Sequence, residues 1–131
     1  MPKKFSNRVY HEDTDFLGVV YYANYFRFIE RARSEAIREV GISQKKLKAD
    51  FDLYFVVSKI NSRFLKSAVY DDMLTIITSL THVGAASIIL GQNIFREETL
   101  IFSSTVTLAC INQSGKLTRL PNNIRSSLLL I

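Results

Sequence analysis

The chain has a single cysteine, Cys110, so it can form no intrachain disulfide, and a reducing compartment suits it. It has no apolar run near the ~20 residues that a membrane-spanning helix needs. Its first residues, Met-Pro-Lys-Lys-Phe, lack the apolar stretch of a secretory signal. A soluble cytoplasmic protein is therefore expected. No repeat, Gly/Ser linker or low-complexity tract divides the chain, which points to a single domain over residues 1–131. There is no glycine-rich phosphate loop, no GxSxG elbow and no serine-triad pattern. His82 and Cys110 have neither metal-ligand spacing nor a partner cluster, so no metal site is read from them.

Hydrophobic residues make up 47% of the chain, enough for a substantial core, and the formal net charge is +5. The positive charge would suit nucleic acid or an anionic small molecule. The basic residues are scattered, however. Only Gln44–Lys48 (QKKLK) is locally dense, and no aromatic residue interrupts it, so a solvated face is the preferred reading over a nucleic-acid site.

Lys4–Tyr10 reads as a short strand. From Ala23 the apolar residues Tyr25, Phe28, Ile29, Ala32, Ala36 and Val40 recur at helical spacing, and Arg27, Glu30, Arg31, Ser34 and Arg38 take the other side. Arg31 and Glu35 are spaced to pair there. Gly41 is placed to end this helix, and Ser43 to cap a short second one through Lys48. Beyond Phe55 the period becomes two. Phe55–Lys66, Met73–Val83, Ser87–Glu97 and Leu100–Asn112 read as long strands, with turns at Val69–Asp72, Val83–Ala85, Glu97–Thr99 and Gln113–Gly115. Pro121 to Asn123 can open a brief C-terminal helix. Strands run together and kept apart from the helices predict an α+β fold with an antiparallel sheet. The long helix should lie across its apolar face, with Ala32 and Ala36 permitting close approach.

Two aspartates, Asp13 and Asp15, stand just ahead of that helix in HEDTDFLGVVYYANY. In isolation they read as loop residues that make Asx-turns and complement the helix dipole. The wider pattern is more specific: Asp13-Thr14-Asp15, then Gly18-Val19-Val20, then Ala23-Asn24-Tyr25, continuing into Glu30-Arg31-Ala32-Arg33. Val57-Ser58 and Tyr70-Asp71-Asp72-Met73-Leu74-Thr75-Ile76 add a second match. Over nearly its whole length the chain resembles the hotdog-fold thioesterases of the 4-hydroxybenzoyl-CoA thioesterase family, and among them the YbgC-like acyl-CoA thioesterases.

The resemblance implies a hotdog fold, five or six antiparallel strands wrapped around one long helix. It implies homodimers, often paired into homotetramers, with active sites at the dimer interface. It implies hydrolysis of acyl-CoA to free acid and CoA with no metal or organic cofactor, and by analogy a role in lipid metabolism. It places the catalytic carboxylate at Asp15, as nucleophile or as general base, and leaves Asp13, Asn24 and Tyr25 structural. The physical case agrees. The first N–H groups of a helix lack intrahelical partners and sit at the positive end of its dipole, where a thioester carbonyl gains stabilisation as charge builds on its oxygen. Tyr22, at the expected helix start, is the natural backbone donor, and Gly18 lets backbone and substrate approach.

Two departures accompany the likeness. His11 and Tyr22 stand where many YbgC-like members have tyrosine and histidine, so an imidazole that orders the attacking water or holds Asp15 would come from the first strand as His11, four residues before Asp15; the other reading of His11 is a solvated strand-end residue. The turn that carries a basic cluster for the nucleotide phosphates in the founding member reads Gly84-Ala85-Ala86 here. Lys59, Arg63, Lys66 and Arg96 are the remaining cations for that role, and Val57 and Ser58 complete the candidate substrate-binding set. Phe16, Leu17, Val56 and Val57 favour a fatty over an aromatic acyl group. The competing functions are a hydroxyacyl dehydratase, whose helix-borne acid and loop histidine the chain lacks, and a non-enzymatic module binding acyl chains or nucleic acid.

Overall fold

The computed structural model describes residues 1–131. Its elements in chain order are β1 (Lys3–Arg8), a 3-10 turn (His11–Asp13), α1 (Asn24–Glu39), α2 (Gln44–Phe51), β2 (Tyr54–Phe64), β3 (Met73–Val83), β4 (Ser87–Arg96), β5 (Thr99–Ile111) and α3 (Asn122–Leu128). The strands form one antiparallel sheet in the order β1-β3-β4-β5-β2. This is the expected α+β architecture, with five strands.

Helix α1 is amphipathic, and its inward residues Tyr25, Phe28, Ile29, Ala32, Ala36 and Ile37 are buried. They meet the inward positions of the strands, among them Leu74, Ile76, Ile88, Leu90, Ile94, Phe102, Val106 and Leu108, in one hydrophobic cluster. The helix stops as its sequence indicates. Gly41 has φ +92, its N–H donates to Arg38 O (3.0 Å), and the Ile42 N–H donates to Ile37 O (3.2 Å). That paired bonding satisfies the last carbonyls, and it needs a left-handed residue at Gly41. Ser43 caps α2 by accepting from the Lys46 N–H at 3.2 Å.

One buried polar residue ties the helix to the sheet. Gln92, inward on β4, donates through Nε2 to Ile29 O in the middle of α1 (2.8 Å) and to Thr78 Oγ1 on β3 (2.9 Å). Ser104 on β5 donates to Gln92 O at 2.7 Å. With these bonds made, the core accepts polar atoms without an unmet desolvation cost. The expected Arg31–Glu35 pair is not formed. Arg31 instead donates to Asn7 Oδ1 on β1 (3.2 Å), and Glu35 pairs with Arg38 one turn on. Arg31 lies over β1, and that neighbour offers a second-element bond in place of a solvent-exposed one.

Candidate active site

The acidic loop is a miniature ladder. Asp15 N–H donates to Val19 O (2.8 Å), Tyr21 N–H donates to Asp13 O (2.9 Å), and Thr14 bridges Val20. Between them Gly18, at φ +83, donates to Asp15 O and closes a tight turn with Phe16 and Leu17 at its tip. Val19 bridges Val69 and Val20 N–H donates to Ala68 O, which bonds the loop to the segment between β2 and β3.

The two aspartates receive opposite treatment. Asp13 is buried, and its Oδ2 accepts the Tyr10 N–H at 2.8 Å across the 3-10 turn. Its carbonyl accepts from Asn24 Nδ2 at 2.8 Å as well as from Tyr21. Asp15 is exposed, and Oδ1 accepts the Leu17 N–H at 2.8 Å, which fixes the carboxylate while its second oxygen bonds nothing.

At the entry to α1 the chain makes a turn in which Asn24 N–H donates to Tyr21 O (2.8 Å) and Tyr25 N–H to Tyr22 O (3.3 Å). The helix proper begins at Asn24, two residues later than the start expected at Tyr22, and no side chain caps it. The N–H groups of Tyr22 and Ala23 have no acceptor in the protein. They lie at the positive end of a 16-residue helix, the arrangement that suits an anion or a developing oxyanion. Tyr25 points inward, its hydroxyl accepting from the Ala68 N–H at 3.1 Å. Burial is the main reason its phenol is pushed above the ordinary range. Asn24 and Tyr25 thus both hold the loops around the helix entry.

His11 lies in the 3-10 turn rather than on β1. Its ring stacks on Tyr70, with centroids 3.9 Å apart and 6° between planes, and no hydrogen bond joins it to Asp15. The register of β2 divides the candidate binding residues. Val57 lies opposite buried Leu108 and so faces α1, whereas Lys59 and Arg63, opposite Thr107 and Ser103, face away from it. Ser58 sits at the irregularity between them and donates to Thr107 O at 3.3 Å. Val56 and Val57 point to opposite sides of the sheet, so only the second can share a lining with the helix. Lys66 is exposed, and Arg96 is engaged, donating to Ser67 O (2.7 Å) and Asp72 Oδ2 (3.2 Å). Sequence reasoning passed over Gln92, which its polar side chain at an inward strand position marked; Tyr70 was read only as part of a turn and of the resemblance, and nothing local marked its stacking on His11.

Residues 17–102 match the model of the thioesterase superfamily. The acyl-CoA thioesterase YbgC of Haemophilus influenzae is 38% identical over 108 residues, 82% of this chain and 79% of the relative. The acyl-CoA thioester hydrolase YbgC of Escherichia coli O6:H1 is 42% identical over 106 residues, 80% of this chain and 78% of that one. A solved structure from Bartonella henselae superposes with a TM-score of 0.89 at 38% identity, over 92% of this chain and all of that one. The 4-hydroxybenzoyl-CoA thioesterase of Pseudomonas sp. strain CBS-3 shares the fold at a TM-score of 0.91 and 19% identity, over 96% of this chain and 98% of that one. With its five-stranded antiparallel sheet, its long helix across one face and its acidic loop at the helix entry, the chain belongs to the thioesterase superfamily, in the YbgC-like branch.

Proposed function

We propose that this thioesterase hydrolyses fatty acyl-CoA to free acid and CoA, with Asp15 as the reacting carboxylate and the Tyr22 N–H as oxyanion donor. The observation that carries the reading is the pairing of two unlike features on one short loop. One is an exposed carboxylate with an oxygen to spare, and the other is a helix entry with two N–H groups that have no acceptor. A thioester carbonyl bonded to Tyr22 N–H gains stabilisation as its oxygen becomes negative; removal of such a donor costs ~10²–10³ in rate. Asp15 then either takes a proton from the attacking water or attacks the carbonyl carbon itself and is freed by water in a second step. In both routes the C–S bond breaks, the thiolate leaves as CoA and takes up a proton, and the acid is released. Gly18 keeps side-chain bulk out of the turn beside Asp15. His11, stacked on Tyr70 and not hydrogen-bonded to Asp15, supports the neighbouring loop in this reading. The exposed apolar side chains of Phe16, Leu17 and Val57 favour an aliphatic acyl chain.

The same reading assigns a homodimer with the sites near its interface. Strand β2 is an edge strand of eleven residues. Its Val57 and Phe64, and the tip residues Phe16 and Leu17, leave large apolar surface uncovered. A long uncovered edge of this kind favours pairing with a second chain. The decisive test is thiol release from acyl-CoA over a ladder of acyl lengths, with a benzoyl-CoA as the aromatic member. Turnover that rises with aliphatic length is expected. No thiol release from any member would overturn the reading, and turnover confined to the aromatic member would overturn the fatty-acyl assignment.

A further inference from the structure

A second feature lies next to the acidic loop and plays no part in the chemistry above. Between the end of β1 and the turn before β3 is a surface cleft of about 240 Å³, lined by Arg8, Val9, Tyr10, Tyr70 and Asp71. Both tyrosines are substantially exposed, Tyr10 at 61% and Tyr70 at 49%. The backbone at Tyr10 is fixed by its N–H bond to Asp13, and the Tyr70 ring by the His11 ring lying flat on one of its faces. His11 stacks on Tyr70 without lining the cleft, so it braces one wall of the cleft from outside. Asp71, at φ +72, shapes the turn, and the Val9 and Asp71 backbones bond each other to hold the two walls together. Arg8 donates to Asp71 O at 2.8 Å and stands 3.7 Å from its carboxylate, a weak pair at a surface that leaves guanidinium N–H groups free.

We propose that this cleft binds the adenosine 3′-phosphate end of coenzyme A, an inference that rests on the acyl-CoA reading of the acidic loop. The chemistry matches part by part. A braced aromatic ring such as Tyr70 suits a purine, which stacks on it whatever its substituents. The Asp71 carboxylate is an acceptor for the exocyclic amine of adenine. Arg8 is a donor for a phosphate, which a guanidinium binds better than an ammonium does. Position matches as well. Only five residues of chain, at most about 18 Å, separate Tyr10 from Asp15. The cleft and the acidic loop are bonded to each other through Asp13 and Tyr10 and through Val19 and Val69. A coenzyme with its nucleotide in the cleft would lead its pantetheine arm towards the helix entry. This gives the nucleotide an anchor that does not require the turn at Gly84 to Ala86, which has no cation.

The test compares two thioesters with the same acyl group, acyl-CoA and S-acyl-pantetheine, which lacks the nucleotide. Tyr70→Ala should raise KM for acyl-CoA about 10-fold, the scale of one lost base stack, with little change in kcat. It should shift KM for the pantetheine thioester less than twofold, and Tyr70→Phe should restore the wild-type KM. In parallel, adenosine 3′,5′-bisphosphate is titrated into the wild-type protein and into Arg8→Ala by calorimetry, with saturable binding expected only in the first. An unchanged KM for acyl-CoA in Tyr70→Ala, or an equal rise for both thioesters, would overturn the assignment, as would no saturable binding of the bisphosphate at millimolar concentration. If the wild type released no thiol from any acyl-CoA, the hydrolase reading would fail, and the bisphosphate titration would still decide the cleft by itself.

Discussion

The side-chain amide of Asn24, the first residue of α1, donates to the backbone carbonyl of Asp13 at 2.8 Å. That bond fastens the helix entry, with its unpaired N–H groups, to the loop that carries Asp15. The carbonyl it reaches also takes the Tyr21 N–H, so one oxygen sets the spacing between donor and carboxylate. Asn24→Ala should therefore impair turnover beyond its effect on stability. A stability loss of about 1 kcal/mol is the scale for one hydrogen bond, while a misplacement of catalytic groups can cost ~10²-fold in rate. A fall of at least 10-fold in kcat, with a urea midpoint only modestly lower, is expected. A variant that loses stability and keeps its kcat would show that the bond shapes the loop without positioning the site.

The contrast between the two aspartates gives the sharpest chemical prediction. Asp15→Asn should leave the fold and assembly intact and reduce acyl-CoA hydrolysis by ~10²–10⁴, the range for loss of a general base, or by more for a nucleophile. Asn can still accept from the Leu17 N–H, so the loop keeps its shape. Asp13→Asn retains an acceptor for the Tyr10 N–H and should cost far less activity. Near-wild-type turnover by Asp15→Asn, or equal loss in both variants, would exchange or cancel the assignment. After a single turnover in H₂¹⁸O, label in the Asp15 carboxylate means a covalent acyl intermediate opened at the aspartyl carbon; label confined to the product acid fits both water activation and an anhydride opened at the acyl carbon, and trapping with hydroxylamine separates those two.

Much of this was legible in the sequence, for identifiable reasons. Long strands with strict alternation, and a helix with one apolar stripe, carry their period in the residues themselves, so Met73–Val83 is recovered to the residue. Gly41 and Ser43 announced the end of one helix and the start of the next through local chemistry. Three features were not legible because they depend on distant chain. Arg31 bonds Asn7, on a strand 24 residues earlier, in place of its helical neighbour. The His11–Tyr70 stack joins loops 59 residues apart in sequence. The irregularity at Ser58 decides which side of the sheet Val57 and Lys59 occupy, and no local signal fixes it.

The uncovered edge of β2 makes a prediction about assembly. Sedimentation at micromolar concentration should give a species of at least twice the 15.0 kDa chain mass. Val57→Glu sets a charge on the helix-facing side of the free edge, where burial against a second chain would strip its hydration, so it should weaken association at least 10-fold. Because Val57 is 43% exposed within one chain, that substitution should leave the circular-dichroism spectrum unchanged. A stable monomer with full activity would remove the case for sites near a subunit interface.

Alkaline pH should expose the core through Cys110. This thiol is fully buried on the inward face of β5, and desolvation pushes it up to about 11. An unfolded chain loses the proton near pH 8.5, so above that value the folded state binds more protons than the unfolded one. Stability must then fall as pH rises, because its slope follows the protons bound unfolded minus those bound folded. The contribution is fully present below about pH 8.5 and is lost by pH 11, a range of about two and a half units worth on the order of 3 kcal/mol. Tyr25 adds to the decline in the same direction, since burial raises its phenol too, against the opposing Ala68 N–H and Arg96. Urea midpoints of the wild type and Cys110→Ala, measured from pH 7 to 11, should converge as pH rises. The variant starts lower because it leaves a small cavity, yet it lacks the thiol to ionise. Parallel curves across that range would mean that the thiol ionises as readily inside the fold as outside it.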